Sequence, residues 1–552
     1  MLVIDVQQHC LRDCPPHGRY VTLSYCWPRS TKLTTTTANV AELRQPDALK
    51  DRLHLLPWTI RDAITCAQRM GEKYLWIDAL CIIQDSEDHK KSQIYQMDKI
   101  YTGSSLTLVA AYKVPAGQDE PCSGLPGLRP NSRNVHQHVQ TAGDLTLAVP
   151  LDTLSNILEQ TRWDYRAWTF QERMMSCRSL YFTDAQVYFQ CTCAVFCEDS
   201  VGEGADLAAK IYPGSNLWNG ISQQTMNDSN SLASHMSRRP YATSGAAISA
   251  IQILSADYSG RSMSDPSDIF HAFHGVQNVL EVSVGTRFWY GVPELYLDWG
   301  ILWTLREKRV RRQAKINVGS RVIQAPSWSW AGWQARSEHG SYFYVSNVRS
   351  EVPWFMVSHF GRVLYLDVSS FREDVRFTGR NRRVRPMKTP PKEILEASVL
   401  RNAVDLESEE WRYPRYLACQ TAVTSFKLVI SETVALGDHG KIWQGVALNM
   451  AILDRKDRWA GSIMLDRTWI AENIAGMRDF QFMLLSRSER MIELVGEPAY
   501  FDRMQFEERD WCLLNVMMVD IRGDVAERLG VGFIHEDSWV DGEPRECFIK
   551  LE

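Results

Sequence analysis

Tyr74-Leu-Trp-Ile-Asp78 is apolar until its last residue, the pattern of a strand buried on both faces that delivers a carboxylate to the loop beyond it. Two more short apolar runs flank it, Tyr20-Val-Thr-Leu-Ser24 before and Leu106-Thr-Leu-Val-Ala-Ala111 after. The intervening residues follow a helical period. From Pro57 to Met70, Ile60, Ala63, Ile64, Ala67 and Met70 share a face, Pro57 suits the first turn, and Gly71 is placed to close the helix. Ser86 with Glu87 and Asp88 forms an acidic start for a second helix carrying Ile94, Met97 and Tyr101. Strand, helix, strand, helix, strand predicts parallel pairing with helices on both faces, an α/β fold.

Further along, Trp163–Cys177 is expected to be helical, followed by short strands at Ser179–Phe182 and Val187–Cys191. Residues 113–145 carry Pro115, Gly117, Pro121, Gly124, Pro126, Gly127 and Pro130 and read as a long loop or insertion. The Ser/Asn/Gly-rich stretch 200–243 marks a boundary. Three segments follow: an α/β domain at 1–200, a mixed linker and helical segment at 201–335 ending in a Trp-rich motif, and a β-rich region at 336–552 with no assigned role. Alternating runs at Val363–Val368, Phe426–Ile430 and Gly445–Leu453 support the β-rich reading, and Arg376–Lys392 reads as an exposed loop between them. No repeat of fixed period occurs.

Composition narrows the classes. A chain of 552 residues accommodates two to four domains, and 45% apolar residues with 19 Trp exclude a mainly disordered chain. Lys+Arg 61 against Asp+Glu 66 leaves a net charge of −5, so no global field favours nucleic acid or an anionic membrane. There is no apolar stretch long enough to span a membrane. Met1-Leu-Val-Ile-Asp5 lacks the basic and apolar regions of a secretory signal, and 13 Cys fit reduced thiols inside a cell, so a cytoplasmic protein is expected.

A phosphate-binding loop, a Gly-x-Gly-x-x-Gly turn, His-Glu-x-x-His and Gly-x-Ser-x-Gly are all absent from the sequence, which removes the commonest nucleotide, metalloprotease and esterase readings. Cys191-x-Cys193-x3-Cys197 has thiolate-ligand chemistry but no standard zinc spacing, and buried unligated cysteines are the favoured reading. Arg372–Lys392 is basic without interleaved aromatics, so a solvated loop is favoured over a phosphate surface. Ser24-Tyr25-Cys26-Trp27 follows the first strand, and Asp78 ends the second before Gln84 and Asp85. In a parallel sheet such strand ends meet at one edge, where ligands bind, although an Asp after a strand also serves as a loop cap. Arg166-Ala-Trp168-Thr-Phe-Gln171-Glu172-Arg173 places Trp168, Gln171 and Glu172 on one helical face with Arg173 beside it, the composition also of a salt-bridged surface helix.

Several of these blocks stand in the order and spacing of the fungal heterokaryon incompatibility (HET) domain. They are Tyr20-Val-Thr-Leu-Ser-Tyr-Cys-Trp27, Leu56-Pro57-x-Thr59-x-Arg61-Asp62-Ala63-Ile64, Tyr74–Asp85, Met97-x-x-Ile100-Tyr101 and Arg166–Arg173. Leu180–Phe182 with Cys191 and Glu198 resembles the end of that domain, and Gly291-Val-Pro-Glu294 with Pro326-Ser-Trp-Ser-Trp-Ala-Gly-Trp333 resembles segments found downstream of it. Pro28 stands where a Gly usually follows the Trp, which fixes φ at that turn.

The resemblance implies fungal non-self recognition and regulated cell death, a form of innate immunity. It also implies a flavodoxin-like sheet similar to the Toll/interleukin-1 receptor (TIR) domain. Some TIR domains cleave NAD at the nicotinamide–ribose bond with a Glu in Trp-x-x-x-Glu. Trp168-Thr-Phe-Gln-Glu172 has that spacing, so Glu172 is the candidate catalytic residue by analogy. On the same analogy Trp27 or Trp168 would stack on a base, Arg166 or Arg173 would meet the diphosphate, and Ser24, Tyr25, Asp78 and Gln84 would line or orient the site. NAD would then be a substrate and no cofactor would be required. The alternative is a non-catalytic signalling module that self-associates or recruits a partner protein.

Overall fold

The computed structural model describes residues 1–28, 31–113, 124–133, 135, 137–192, 194–199, 244–305, 310–318, 321–334, 337–338, 348–366, 368, 398–399, 404–406, 408–430, 447–474, 479–488 and 501–552. These form two compact units. One comprises residues 1–250, 261–264 and 271–285; the other comprises 251–260, 265–270 and 286–552. The expected boundary at 200–243 and the basic loop at Arg376–Lys392 lie outside the described residues.

The first unit is built on an eight-stranded mixed sheet. Its strands are β1 (Leu2–Asp5), β2 (Cys10–Asp13), β3 (Tyr20–Ser24), β4 (Tyr74–Trp76), β5 (Leu106–Ala110), β8 (Arg178–Phe182), β9 (Val187–Cys191) and β10 (Val195–Cys197), with a separate hairpin of β6 (Val139–Ala142) and β7 (Leu145–Ala148). The spatial order is β10-β9-β8-β5-β3-β4-β1-β2. The three strands expected to be parallel are parallel, and β8 joins them: β3 pairs with β4 and β5, and β5 with β8, all in parallel. Antiparallel strands extend both flanks, β1 and β2 beyond β4 and β9 and β10 beyond β8, so the sheet is mixed. All five residues of β3 are buried, as a central strand covered on both faces requires. β3 lies between β4 and β5, so the chain leaves β3 to one side and enters β5 on the other, and the carboxyl ends of these strands form a topological switch point, the usual ligand position in such sheets.

The helices around this sheet follow the sequence with local differences. α1 (Val40–Leu43) is a single turn, and α2 (Trp58–Arg69) buries Ile60, Ala63, Ile64 and Ala67. It starts after Pro57 and stops before Gly71, whose φ of +75° suits glycine. Leu75 and Trp76 are buried in β4, but Asp78 opens a short helix, α3 (Asp78–Cys81), instead of ending the strand. The helix expected from Ser86 to Tyr101 is two, α4 (Glu87–Ile94), capped by Ser86 accepting from His89 N–H, and α5 (Met97–Gly103). After α6 (Leu154–Leu158) comes α7 (Ala167–Met175), shorter than the Trp163–Cys177 expected. Arg166 is extended and bridges to Ser262, and Ala167 N–H donates to Ser262 O at 2.9 Å, so the first turn cannot begin earlier. Within the insertion-like segment, Leu125 N–H and Arg129 Nε both donate to the buried Asp62 of α2, at 2.9 and 3.0 Å. All eight residues of β6 and β7 are exposed.

The second unit is β-rich, as expected, and contains a closed barrel. The ring runs through strands Tyr416–Ile430, Ala447–Leu453, Trp459–Asp466, Val525–His535, Leu513–Arg522 and Asp479–Ser488, and the last pairs back to the first from Val423↔Met483 to Lys427↔Asp479. Closure removes edges along these strands and encloses a core including Phe426, Met450, Phe482, Val516 and Trp539. The Trp-rich motif is structural: Trp328, Trp330 and Trp333 are buried, Trp330 Nε1 donates to Gly291 O at 3.0 Å, and Ser329 Oγ donates to Tyr290 O at 2.5 Å. Gly291 has φ +81°, and a Cβ there would lie 2.4 Å from the Trp330 ring, so the two downstream motifs interlock through a position only glycine fits. Among the described residues no helix is long and apolar enough to cross a membrane.

Candidate functional site

The carboxyl ends of β3 and β4 present Ser24 and, two residues past the strand, Asp78, while α7 returns across the same edge carrying Glu172. Ser24 Oγ donates to Glu172 Oε2 and accepts from Trp163 Nε1 at 2.8 Å. The Tyr101 hydroxyl, from α5, lies beside the Glu172 carboxyl and donates to Leu23 O at 3.2 Å. Glu172 is buried, and loss of hydration pushes its pKa up to about 8 from the ordinary 4.5. The Ser24 hydrogen bond opposes that rise, the negative charge of Asp78 adds to it, and the positive charge of Arg166 opposes it. At neutral pH the resting site therefore holds Glu172 mainly as a neutral acid.

Asp78 is held differently. Trp27 Nε1 donates to its Oδ2 at 2.5 Å and Ala79 N–H to its Oδ1 at 2.7 Å. Burial raises its pKa, and those two N–H donors, nearby Arg166 and the Tyr25 hydroxyl pull the other way. Tyr25 is buried, its hydroxyl lies against the Asp78 carboxyl, and the charges of Asp78, Glu172 and Arg166 all act on it. Cys26 adjoins Arg166 and Arg162, and burial raises its thiol pKa. Two carboxyl groups, a buried phenol, an indole and a guanidinium thus share one edge of the sheet. Cys26, Trp27, Asp78 and Arg166 are half-buried.

The structure separates the predicted residues by what they touch. Ser24, Tyr25, Trp27, Asp78, Arg166 and Glu172 come together. Trp168 is half-buried on the first turn of α7. Gln84 braces its own loop: Nε2 donates to Asp78 O at 3.0 Å and Ile82 O at 3.1 Å. Arg173 points to Asp164, with Nη1 2.8 Å from Oδ1, and Asp164 also receives Arg261. Gln171 and Glu172 part company: Gln171 Oε1 accepts from Gly275 N–H at 2.8 Å, where the following helix, α8 (His274–Val284), packs closely. A Cβ at Gly275 would stand 2.5 Å from Asp98 Cβ, so that packing requires glycine.

Two members of the cluster went unassigned in the sequence. Trp163 supplies the N–H that orients Ser24, and Tyr101 flanks Glu172. Tyr101 was visible within Met97-x-x-Ile100-Tyr101 but reads as a core position at helical spacing. A hydroxyl chain ties α7 to the sheet beneath: Thr22 and Thr107 at 2.8 Å, Thr107 and Ser176 at 2.6 Å, and Ser176 Oγ to Glu172 O at 2.7 Å. Cys197 is buried in a hydrophobic cluster, Cys191 ends β9, and Cys193 lies outside the described residues. Among the described residues no group of three or more His, Cys, Asp or Glu is placed to hold a metal.

Residues 20–172 match the family model described as heterokaryon incompatibility protein (HET). That span begins at the first residue of β3 and ends at Glu172. No curated protein and no solved structure matches the chain.

Proposed function

We propose that this chain, which carries a HET domain at residues 20–172, acts in heterokaryon incompatibility by promoting regulated cell death, and that it does so by hydrolysing NAD at the nicotinamide–ribose bond. The domain match supports the incompatibility role. The hydrolase reading rests on the pairing of Glu172 with Asp78 at the carboxyl ends of neighbouring parallel strands, beside Arg166. Counted along the chain, the parallel strands lie in the order 2-1-3-4, that of a flavodoxin-like sheet, which supports the comparison with TIR domains.

Departure of nicotinamide leaves an oxocarbenium-like ribose, which a carboxylate beneath it stabilises. Glu172 reaches that state on binding. The nicotinamide ring of NAD is a cation, and a cation beside a carboxyl group favours its ionised form. Ser24 then keeps the ionised oxygen oriented, Trp27 offers an indole face to a base, and Arg166 meets the diphosphate. The leaving group departs neutral and needs no general acid.

Chromatography of NAD incubated with the full chain tests this reading. Nicotinamide and ADP-ribose should form with wild type and fall by about 100-fold or more with Glu172→Gln. Intact NAD with a folded wild-type protein refutes it. The exposed hairpin β6–β7 favours a second reading, a signalling module acting by association. Leu145 and Leu147 are 69% and 64% exposed there, and an isolated two-stranded hairpin gains little stability alone in water. A Leu145→Lys protein that loses self-association while retaining NAD cleavage would separate the two roles.

A further inference from the structure

We infer that Asp78 is the base that takes the proton from the attacking water, an assignment that rests on the hydrolase reading above. Two carboxyl groups share the site, and their partners differ in kind. Glu172 accepts from the Ser24 hydroxyl with the Tyr101 hydroxyl beside it, whereas Asp78, with the Tyr25 hydroxyl beside it, also accepts from two N–H groups, the Trp27 indole and the Ala79 amide, at 2.5 and 2.7 Å. N–H donors have no lone pair to accept a proton in return, so both contacts favour Asp78 as an anion with fixed orientation. Taken as whole residues, Asp78 is half-buried and Glu172 is 6% exposed, and burial raises the pKa of both carboxyl groups. The buried Tyr25 hydroxyl lies against the Asp78 carboxyl, where the charges of both carboxyl groups act on it. There it helps to fix the orientation of Asp78 beside Glu172.

The step balances without a co-reactant. The C1′–N bond breaks and its electron pair moves to the nicotinamide nitrogen, which becomes neutral. The water oxygen bonds to C1′, its proton passes to Asp78, and Asp78 returns that proton to solvent. The products are nicotinamide and ADP-ribose.

The competing role for Asp78 is structural, anchoring Trp27 and the start of α3. Steady-state kinetics of NAD cleavage as a function of pH distinguish the two for wild type, Asp78→Asn and Asp78→Glu. If Asp78 is the base, Asp78→Asn lowers kcat by about 100-fold with little change in KM, and the acidic limb of the kcat profile falls from two ionisations to the single one of Glu172. Asp78→Glu restores part of the rate. An acidic limb with the same number of ionisations in Asp78→Asn as in wild type, or an Asp78→Glu protein that folds but recovers none of the rate, overturns the assignment. Wild-type kcat in D2O should show a normal isotope effect, and a value of unity overturns the assignment even if Asp78→Asn fails to fold. Wild type that leaves NAD intact overturns the hydrolase reading and this assignment together. Activity lost in Glu172→Gln but kept in Asp78→Asn overturns this assignment alone.

Discussion

Two regions of this molecule bury tryptophan beside polar groups, and they satisfy those groups with different chemistry. In the second unit, Trp303, Trp330 and Trp333 donate to the backbone carbonyls of Trp328, Gly291 and Ser327, and Arg528 donates to Ile301 O while lying 3.6 Å over the Trp303 ring. In the first, Trp163 donates to Ser24, which donates to Glu172, and Trp27 donates to Asp78. A carbonyl cannot change charge, so the tryptophan cluster around residues 326–333 keeps one state. Carboxyl groups can, so the strand-end cluster in the first unit responds to pH and to a charged ligand. Similar residue types thus serve rigidity in one place and titration in the other.

The comparison is most open to refutation at Trp330. Trp330→Ala empties a buried site and should cost roughly 3–5 kcal/mol. Hydrogen exchange in peptides from 286–552 would read the loss, which should be the same at pH 5 and pH 8. A strongly pH-dependent cost would refute the contrast.

Glu172→Gln probes the other region. Its folded pKa of about 8 lies above the ordinary 4.5, so the folded state keeps a proton that the unfolded chain releases. The stability from this group is complete below about pH 4.5 and is lost as pH rises through about 8. The amide variant should lose that decline and be more stable than wild type near pH 9 by roughly 1–3 kcal/mol. Thermal melts across pH 5–9 check this (about four pH units, the span the linkage needs). A decline that survives in Glu172→Gln assigns the titration elsewhere.

Ser24→Ala refines the picture. It leaves Trp163 N–H without its acceptor, for about 1–2 kcal/mol, and it removes the hydrogen bond that lowers the Glu172 pKa. Carboxyl-carbon NMR should show Glu172 titrating at higher pH in the variant than in wild type. The smallest effect is expected on the hairpin, where Leu145→Lys should change stability by less than about 0.5 kcal/mol, since the side chain is exposed. Denaturant unfolding tests that figure, and sedimentation shows whether self-association uses this surface.

Much of the first unit was legible because its signals are local. β3, β4 and β5 show as continuous apolar runs, and α2 carries its own start and stop in Pro57 and Gly71. Where distant residues intervene, the sequence misled or stayed silent. The start of α7 is moved by Ser262, the split between α4 and α5 leaves no Gly or Pro to mark it, and barrel closure depends on residue 423 meeting 483. At the site, Ser24, Asp78 and Glu172 stood out as polar residues at strand ends and on a patterned helix. Trp163 and Tyr101 did not, because an aromatic at an apolar position looks the same whether it fills core or positions a hydroxyl.

The bond from Gly275 N–H to Gln171 joins residues 104 apart, and Ser262 sets the first turn of α7 from a similar remove. On the ribosome this makes timing matter. When Glu172 emerges, the segments that fix its helix have not been made, and at about 5–20 residues per second they follow roughly five to twenty seconds later. Until then Glu172 belongs to a helix that can meet β3, β5 and α5 but has no fixed start and lacks α8. The setting of α7 is thus completed only after synthesis has run well past the HET-matched segment, which delays any activity that depends on it while the nascent chain is still being made.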